Sequence, residues 1–437
     1  MNSAPPRGEP GRRLPPVRTL LPLVIGVLVV LAFNPLTFEA WWLRYPDVPR
    51  HWALQVLGWD LAILAVAVVL ALVARHARRR EKTAPARRYV AAYVVMLLVG
   101  ILMAGLVAEA YFRMSGVRNV FSPSLRRELS WRTRHAGTSG SPRPEASYAF
   151  SPTLGWALRP NVRTDLVTSN SQGLRSSREY AAEPGPGIRR VLCVGDSFTF
   201  GAGLLDEQTM PARLEVALNG DGPARWEVLN FGVEGYGTDQ QWLYFADRGL
   251  RYKPDIVVLS FFEMNLERNI MSFRDYAKPY FTLVDGRLIL NNVPVPSPPE
   301  VLARKPELPW SRLASLVSTL AQDFRQTISV GDLAYTRAGA VTLALVETMR
   351  EAAVGQGARF VLMTIPRPIT RRGSDTERML AAWAARTGTP FLNLRAAYLQ
   401  LPEAERARLY ITHWTPYGAD VTARLLANEL RVAPITK

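Results

Sequence analysis

The sequence predicts an α/β domain with a parallel sheet, preceded by three transmembrane helices, and two patterns carry that prediction. From Arg189 onward, short buried-type apolar runs alternate with helical stretches, as strands and helices do when helices cover both faces of one sheet. Ahead of Phe112, three nearly continuous runs of Leu, Val, Ile and Ala each approach the roughly 20 residues that span a bilayer core.

The membrane runs cover residues 20–36, 52–74 and 89–111, and their flanks set an orientation. Arg7, Arg12, Arg13 and Arg18 precede the first run. Arg75, Arg78, Arg79, Arg80, Lys82, Arg87 and Arg88 fill the second connection, whereas the first connection balances Arg44 and Arg50 with Glu39 and Asp47. By the positive-inside rule the N-terminus and the second connection are cytoplasmic. Three crossings then place everything after Phe112 on the far side of a plasma (inner) membrane, as an extracytoplasmic or periplasmic domain. Trp41, Trp42, Tyr45 and Trp52 fall where an outer aromatic belt belongs. The first run is long for the apolar core of a signal peptide, and no A-x-A site follows it. Asp60, the one acid well inside a span, is read as a helix-pairing or partner contact.

Charge follows the same division. Residues 1–150 hold 20 Lys plus Arg against 8 Asp plus Glu, which is +12 of the total +16. The positive charge belongs to the membrane flanks, which argues against nucleic acid as a partner. The lone cysteine, Cys193, excludes an intrachain disulfide framework and, on a core strand, reads as filler.

Three regions follow: a membrane anchor over 1–112, a linker and edge segment over 113–188, and the α/β domain over 189–437. Residues 113–150 are rich in Arg, Ser, Gly and Pro and read as a linker with one short helix. Residues 151–178 alternate turn and apolar residues, which suits a short strand pair docked at the edge of the next domain. In that domain, strands are expected at 191–194, 227–231, 256–262, 360–365 and 391–394. Helices are expected near 207–218, 239–248, 341–353, 376–387 and 420–430. The excursion at about 264–339, with a hairpin around Asp285-Gly286 and a Pro-rich stretch over 294–309, looks like a cap or partner surface.

One turn carries the chemistry. Gly195-Asp196-Ser197-Phe198-Thr199-Phe200-Gly201 sets a serine just after an apolar run, where sites form at the carboxyl ends of parallel strands. The other histidines are His51, His76 and His135, so a serine nucleophile in the second half of the chain has one imidazole available, in His413-Trp414-Thr415-Pro416-Tyr417-Gly418. Asp196 reads as a turn-stabilising acceptor. Trp414 either contacts substrate or covers the histidine loop. The glycines of Gly232-Val233-Glu234-Gly235-Tyr236-Gly237 miss the spacing of a dinucleotide loop, so no cofactor is expected. One His and one Cys after residue 150 are too few soft ligands for zinc, so no metal is expected either, although oxygen-only ion sites stay open.

Residues 189–431 resemble the SGNH/GDSL hydrolases, serine esterases and acyltransferases on a flavodoxin-like three-layer α/β/α fold. The resemblance is strongest at Gly195-Asp196-Ser197 and is supported by the second block, Asn230-Phe231-Gly232-Val233-Glu234-Gly235-Tyr236-Gly237. It implies that Ser197 is the nucleophile and His413 the base. It also implies an oxyanion hole made by the backbone N–H groups of Ser197 and a glycine of the second block, most simply Gly232. Two positions depart from the family. Its third block ends a strand with Gly-Asn-Asp, the Asn completing the hole, but this strand continues Phe261-Phe262-Glu263-Met264-Asn265-Leu266. Asn265 is then either that donor or the residue after it, with Met264 in the donor's place. The family also sets an Asp two or three residues before its His, where this chain has Ile411 and Tyr410. A Ser-His dyad or an acid recruited from elsewhere is therefore expected, with Glu263 one candidate.

The expected activity is that of a membrane-anchored extracytoplasmic serine esterase or O-acyltransferase acting on acyl esters of envelope glycans or lipids. Three spans are few for carrying an acyl donor across the bilayer, so the transferase version expects a separate acyl-donating membrane protein. The rival expectation is a catalytically weak glycan-binding or assembly component that kept the fold.

Overall fold

The computed structural model describes residues 68, 86–114, 121–135, 147–220, 225–318, 336–366, 369 and 372–432. The chain divides into two compact units, residues 1–115 and 116–437.

In the first unit the described element is helix α1, Ala86–Met114, 29 residues long. It contains the third predicted membrane run, and Leu98, Ile101, Leu102, Leu106 and Val107 on it are exposed. The predicted spans at 20–36 and 52–74 lie outside the described residues, save for Val68, as do the side chains of 86–93 and 95–97 within α1. Among the described residues no helix is long and apolar enough to cross a membrane.

The second unit begins with helix α2, Pro123–His135, and a hairpin of β1, Tyr148–Ser151, and β2, Gly155–Leu158. A five-stranded sheet follows, made of β3 (Arg189–Gly195), β4 (Trp226–Gly232), β5 (Ile256–Phe262), β8 (Arg359–Ile365) and β9 (Phe391–Asn393). Its order is β4-β3-β5-β8-β9 and every pairing is parallel. Between β5 and β8 lies an antiparallel hairpin of β6, Tyr280–Val284, and β7, Arg287–Asn291, turning at Asp285-Gly286.

The helices needed to place the site are α3 (Ser197–Phe200), α4 (Met210–Asn219), α5 (Thr238–Tyr244), α6 (Asn265–Arg268), α7 (Arg337–Gly355), α8 (Asp375–Thr387), α9 (Leu394–Leu399) and α10 (Pro416–Val432). Strand side chains alternate between two cores, as the two-residue period of a strand requires. Leu192 and Val194 of β3 pack on one face with Tyr244, Met349 and Trp383 from α5, α7 and α8. Val191 and Cys193 pack on the other face with Leu214 of α4 and Leu426 of α10. Both faces of the sheet are thus covered, and the strands read as continuous apolar runs for that reason. Cys193 is fully buried, and burial pushes its thiol pKa up, so it is core filler.

Candidate active site

β3 ends at Gly195, and the chain turns at once into the four-residue helix α3 that begins with Ser197. Asp196 caps this turn through its Oδ1, which accepts from the Phe198 N–H at 3.0 Å. Its Oδ2 takes a 2.9 Å ion pair from Arg268, with both side chains nearly water-free. The turn-stabilising role expected of Asp196 is present, and the ion pair was not legible because Arg268 lies 72 residues downstream.

The nucleophile turn lies directly on the loop after β4. Gly195 and Gly232 are partners in the parallel ladder. A Cβ on Gly232 would sit 2.2 Å from the Phe200 nitrogen, so only glycine lets α3 pack this close. Asn230 fixes the junction twice: its Nδ2 donates to the Phe200 carbonyl at 3.2 Å, and its Oδ1 accepts from the Gly232 N–H at 2.9 Å. Arg175, a buried residue of the edge segment, donates to the carbonyls of Phe200, Gly201 and Leu204 and pairs with Asp206. The hairpin β1–β2 braces the second block from its other side. Tyr148 donates to Glu234 Oε2 at 2.9 Å, and Trp156 donates through Nε1 to the Glu234 carbonyl at 2.9 Å. Burial and the neighbouring Glu234 carboxylate both push the Tyr148 hydroxyl pKa up, which keeps it a neutral donor.

His413 comes from the far end of the chain, on a tight loop closed by the Ile411 N–H donating to the His413 carbonyl at 3.0 Å. The loop runs into α10 through local chemistry. Thr415 Oγ1 accepts from the Gly418 N–H at 3.0 Å and so caps the helix, with Pro416 at its first position. A Cβ on Gly418 would meet the Leu409 carbonyl oxygen at 2.1 Å, which explains the glycine of the His-Trp-Thr-Pro-Tyr-Gly run. The imidazole is packed by rings: Phe198 lies 5.0 Å from it, centroid to centroid, and 5.1 Å from Trp414. Trp414 is 3% exposed and belongs to the core, so it covers the histidine loop and does not present its face to a substrate.

Across 216 residues of sequence, His413 Nε2 and Ser197 Oγ meet at 2.8 Å. With the proton on Nδ1, the serine hydroxyl donates to Nε2, which is the hydrogen bond a general base needs.

The other expected site residues separate into two groups. Gly232 ends β4, and its N–H is already donated to Asn230 Oδ1, so that amide is committed to holding the loop. Three residues on, Gly235 sits at a φ of 83°, and its N–H has no partner among the described residues. Asn265 is fully buried at the start of α6. Its Oδ1 accepts from Arg268 at 3.0 Å, and its Nδ2 has no hydrogen-bond partner among the described residues. Met264, the residue before it, is exposed. Glu263 is exposed and makes no hydrogen bond or ion pair to His413. It lines a separate cleft of about 160 Å³ with Thr364, Arg372, Ser374 and Arg395. Among the described residues no cluster of His, Cys, Asp and Glu could hold a metal ion.

Gly235, Arg268, Arg175 and the ring of Phe198 were not singled out from sequence. Gly235 lies inside the second block, and its positive φ and unoccupied N–H separate it from Gly232 only in three dimensions.

No family model matches the chain, and no curated protein matches it. Among solved structures, the lipase/acylhydrolase from Enterococcus faecalis is similar at 17% identity, over 56% of this chain and 96% of its own, with a TM-score of 0.34. A GDSL-like lipase from Bacteroides thetaiotaomicron VPI-5482 is similar at 15% identity, over 57% of this chain and 90% of its own, with a TM-score of 0.31. At these identities the likeness concerns fold alone. The chain's own geometry defines its class: a three-layer parallel α/β domain with one serine and one histidine hydrogen-bonded at the carboxyl edge of its sheet.

Proposed function

We propose that this chain is a membrane-anchored extracytoplasmic serine esterase or O-acyltransferase that works through an acyl-enzyme on Ser197. The observation that carries the proposal is the 2.8 Å contact of His413 Nε2 with Ser197 Oγ. Unpartnered donors on the adjoining loops support it.

In the proposed reaction His413 Nε2 takes the Ser197 proton as Oγ attacks an ester carbonyl. The negative charge that develops on the carbonyl oxygen is met by the N–H groups of Ser197 and Gly235 and by Asn265 Nδ2. None of the three has a competing acceptor among the described residues. The tetrahedral adduct collapses, the bond to the leaving alkoxide breaks, and His413 returns the proton to that oxygen. Water or a sugar hydroxyl then gives its proton to His413 and attacks the acyl carbon; the acyl–Oγ bond breaks and His413 returns that proton to Ser197 Oγ.

The membrane part of the proposal rests on the three apolar runs of the sequence and their basic flanks. A site tethered outside the inner membrane points to acylated envelope glycans or lipids as substrate and, for a transferase, to a separate acyl-donating membrane protein. The rival, a glycan-binding or assembly component, draws on Ile411, which is 82% exposed at one of the two places expected for the triad acid.

A fluorophosphonate probe on the detergent-solubilised full chain decides between them. Labelling that disappears in Ser197→Ala is the expected result. A folded wild-type protein that the probe does not touch refutes the enzyme. Membrane fractionation of the same chain, with proteolysis from the outer side, tests the topology.

A further inference from the structure

One buried charge paired to the turn before Ser197 is not used by the reaction above. Arg268 ends α6 with its side chain 5% exposed, and one nitrogen, Nη1, makes three hydrogen bonds. It reaches Asp196 Oδ2 at 2.9 Å, Asn265 Oδ1 at 3.0 Å and the Tyr236 carbonyl at 3.1 Å. Each acceptor belongs to a different loop. Asp196 precedes Ser197, Tyr236 follows Gly235, and Asn265 carries the side-chain amide.

We propose that Arg268 is the positioning residue of the oxyanion hole, tying the three donor-bearing loops to one point and neutralising the carboxylate beside the nucleophile. This rests on the serine-hydrolase function proposed above. Three physical steps carry it. A guanidinium only donates, so its contact with Asn265 must be through Oδ1, and the amide's other end, Nδ2, is then turned away and left without a partner. A buried carboxylate one residue from Ser197 would oppose the charge of an oxyanion, and the ion pair cancels it. Finally, α6 is itself anchored: the Arg268 carbonyl accepts from the buried Lys278 Nζ at 3.0 Å. Arg268 touches no reacting atom in this scheme; it acts through the groups it holds.

The test compares Arg268→Lys with the wild-type full chain in detergent, using p-nitrophenyl acetate turnover and inhibition by phenylboronic acid, whose tetrahedral adduct on serine places a negative oxygen in the hole. Lysine keeps the charge but carries it on a shorter, flexible stem in place of the rigid guanidinium that delivers Nη1 to its three acceptors. The expected result is a fall in kcat of about 10²-fold at unchanged KM, the lower end of what one lost donor costs. The boronate Ki is expected to rise by the same factor, because only interactions of the tetrahedral state are lost. In an Asn265→Ala background the same substitution is expected to cost far less, since both changes remove one unit. Circular dichroism confirms the fold. Should Arg268→Lys not fold, Asp196→Asn with Arg268→Met, which removes both charges together, is judged by the same criteria. Unchanged kcat and Ki in a folded variant, a rise in KM alone, or full additivity with Asn265→Ala overturns the role of Arg268 while the hydrolase stands. A wild-type chain with no Ser197-dependent turnover and no boronate binding removes both.

Discussion

On one side of the 2.8 Å contact, Ser197 rides on a turn held by charge and hydrogen bonds; on the other, His413 rides on a loop held by rings. The serine side has Asp196 and Arg268 paired out of water, Asn230 bonded to both the helix of Ser197 and β4, and Arg175 gathering four carbonyls. The histidine side has Phe198 at the centre of Phe262, Tyr410, His413 and Trp414, with ring separations from 4.9 to 6.1 Å. The difference teaches what each partner needs. Under the serine-hydrolase proposal, oxyanion donors must be fixed to a fraction of an ångström in a charge-balanced setting, whereas a base must mainly be kept in one ring orientation.

The largest effect falls on the contact that joins the two sides. Ser197→Ala and His413→Ala are each expected to lower kcat by about 10⁶-fold, the loss seen when either member of such a unit is removed from a comparable serine enzyme. The double variant is expected to lose no more than either single one. Ester turnover by the purified full chain checks this, and additive losses would mean that the two residues do not act together.

Next comes the charge that holds the serine side. Asp196→Ala leaves Arg268 buried without its carboxylate and removes the cap of α3, so a stability loss of about 3–5 kcal/mol is expected in urea unfolding. A loss below about 1 kcal/mol would show that this side, too, is held mainly by packing.

The histidine side is broken by shape. Phe198→Leu keeps an apolar core residue but removes the ring that the imidazole packs on at 5.0 Å. A fall in kcat between about 10- and 100-fold is expected at unchanged KM, because a displacement near 1 Å is enough for losses of this size. Full activity in Phe198→Leu would move the support of His413 to another group.

The two sides also differ in how much the sequence disclosed. The five strands were legible because burial on both faces makes each one an apolar run, as in Ile256–Phe262. Ser197 and His413 were legible because their local motifs are short-range devices: a capped turn after a strand, and a threonine cap with proline and glycine opening α10. What brings charge to the serine is long-range. Arg268 meets Asp196 only because β3 and β5 are neighbours, and α6 follows β5 directly. Gly232 and Gly235 differ in bonding, a difference no local pattern discloses, since Asn230 Oδ1 occupies the Gly232 N–H. Of the ring packing around His413 only Trp414 was open to reading, from its place beside the histidine; Phe198 and Phe262 are ordinary core residues until the fold gathers them.

The smallest expected effect sharpens the comparison from the histidine side, where one ion-pair cluster does contribute. Asp420, in the first turns of α10, pairs with Arg213 of α4 at 2.7 Å and with Arg424 of its own helix. Burial acts to raise the Asp420 pKa, but the bonds from Arg424 and Arg213 outweigh it and hold the carboxyl below the usual range. A carboxyl depressed in the folded state stabilises the protein above its unfolded pKa of about 3.9, and that stability is lost as pH falls through the lower folded value. Arg213 and Arg424 are both substantially exposed, so the contribution is expected to be no more than about 1 kcal/mol. Asp420→Asn should therefore lower stability slightly at pH 7, and the difference from wild type should vanish at the acid end of a urea-unfolding series. If the difference persists unchanged at the acid end of the series, below the depressed folded value, Asp420 acts by its shape and not by its charge.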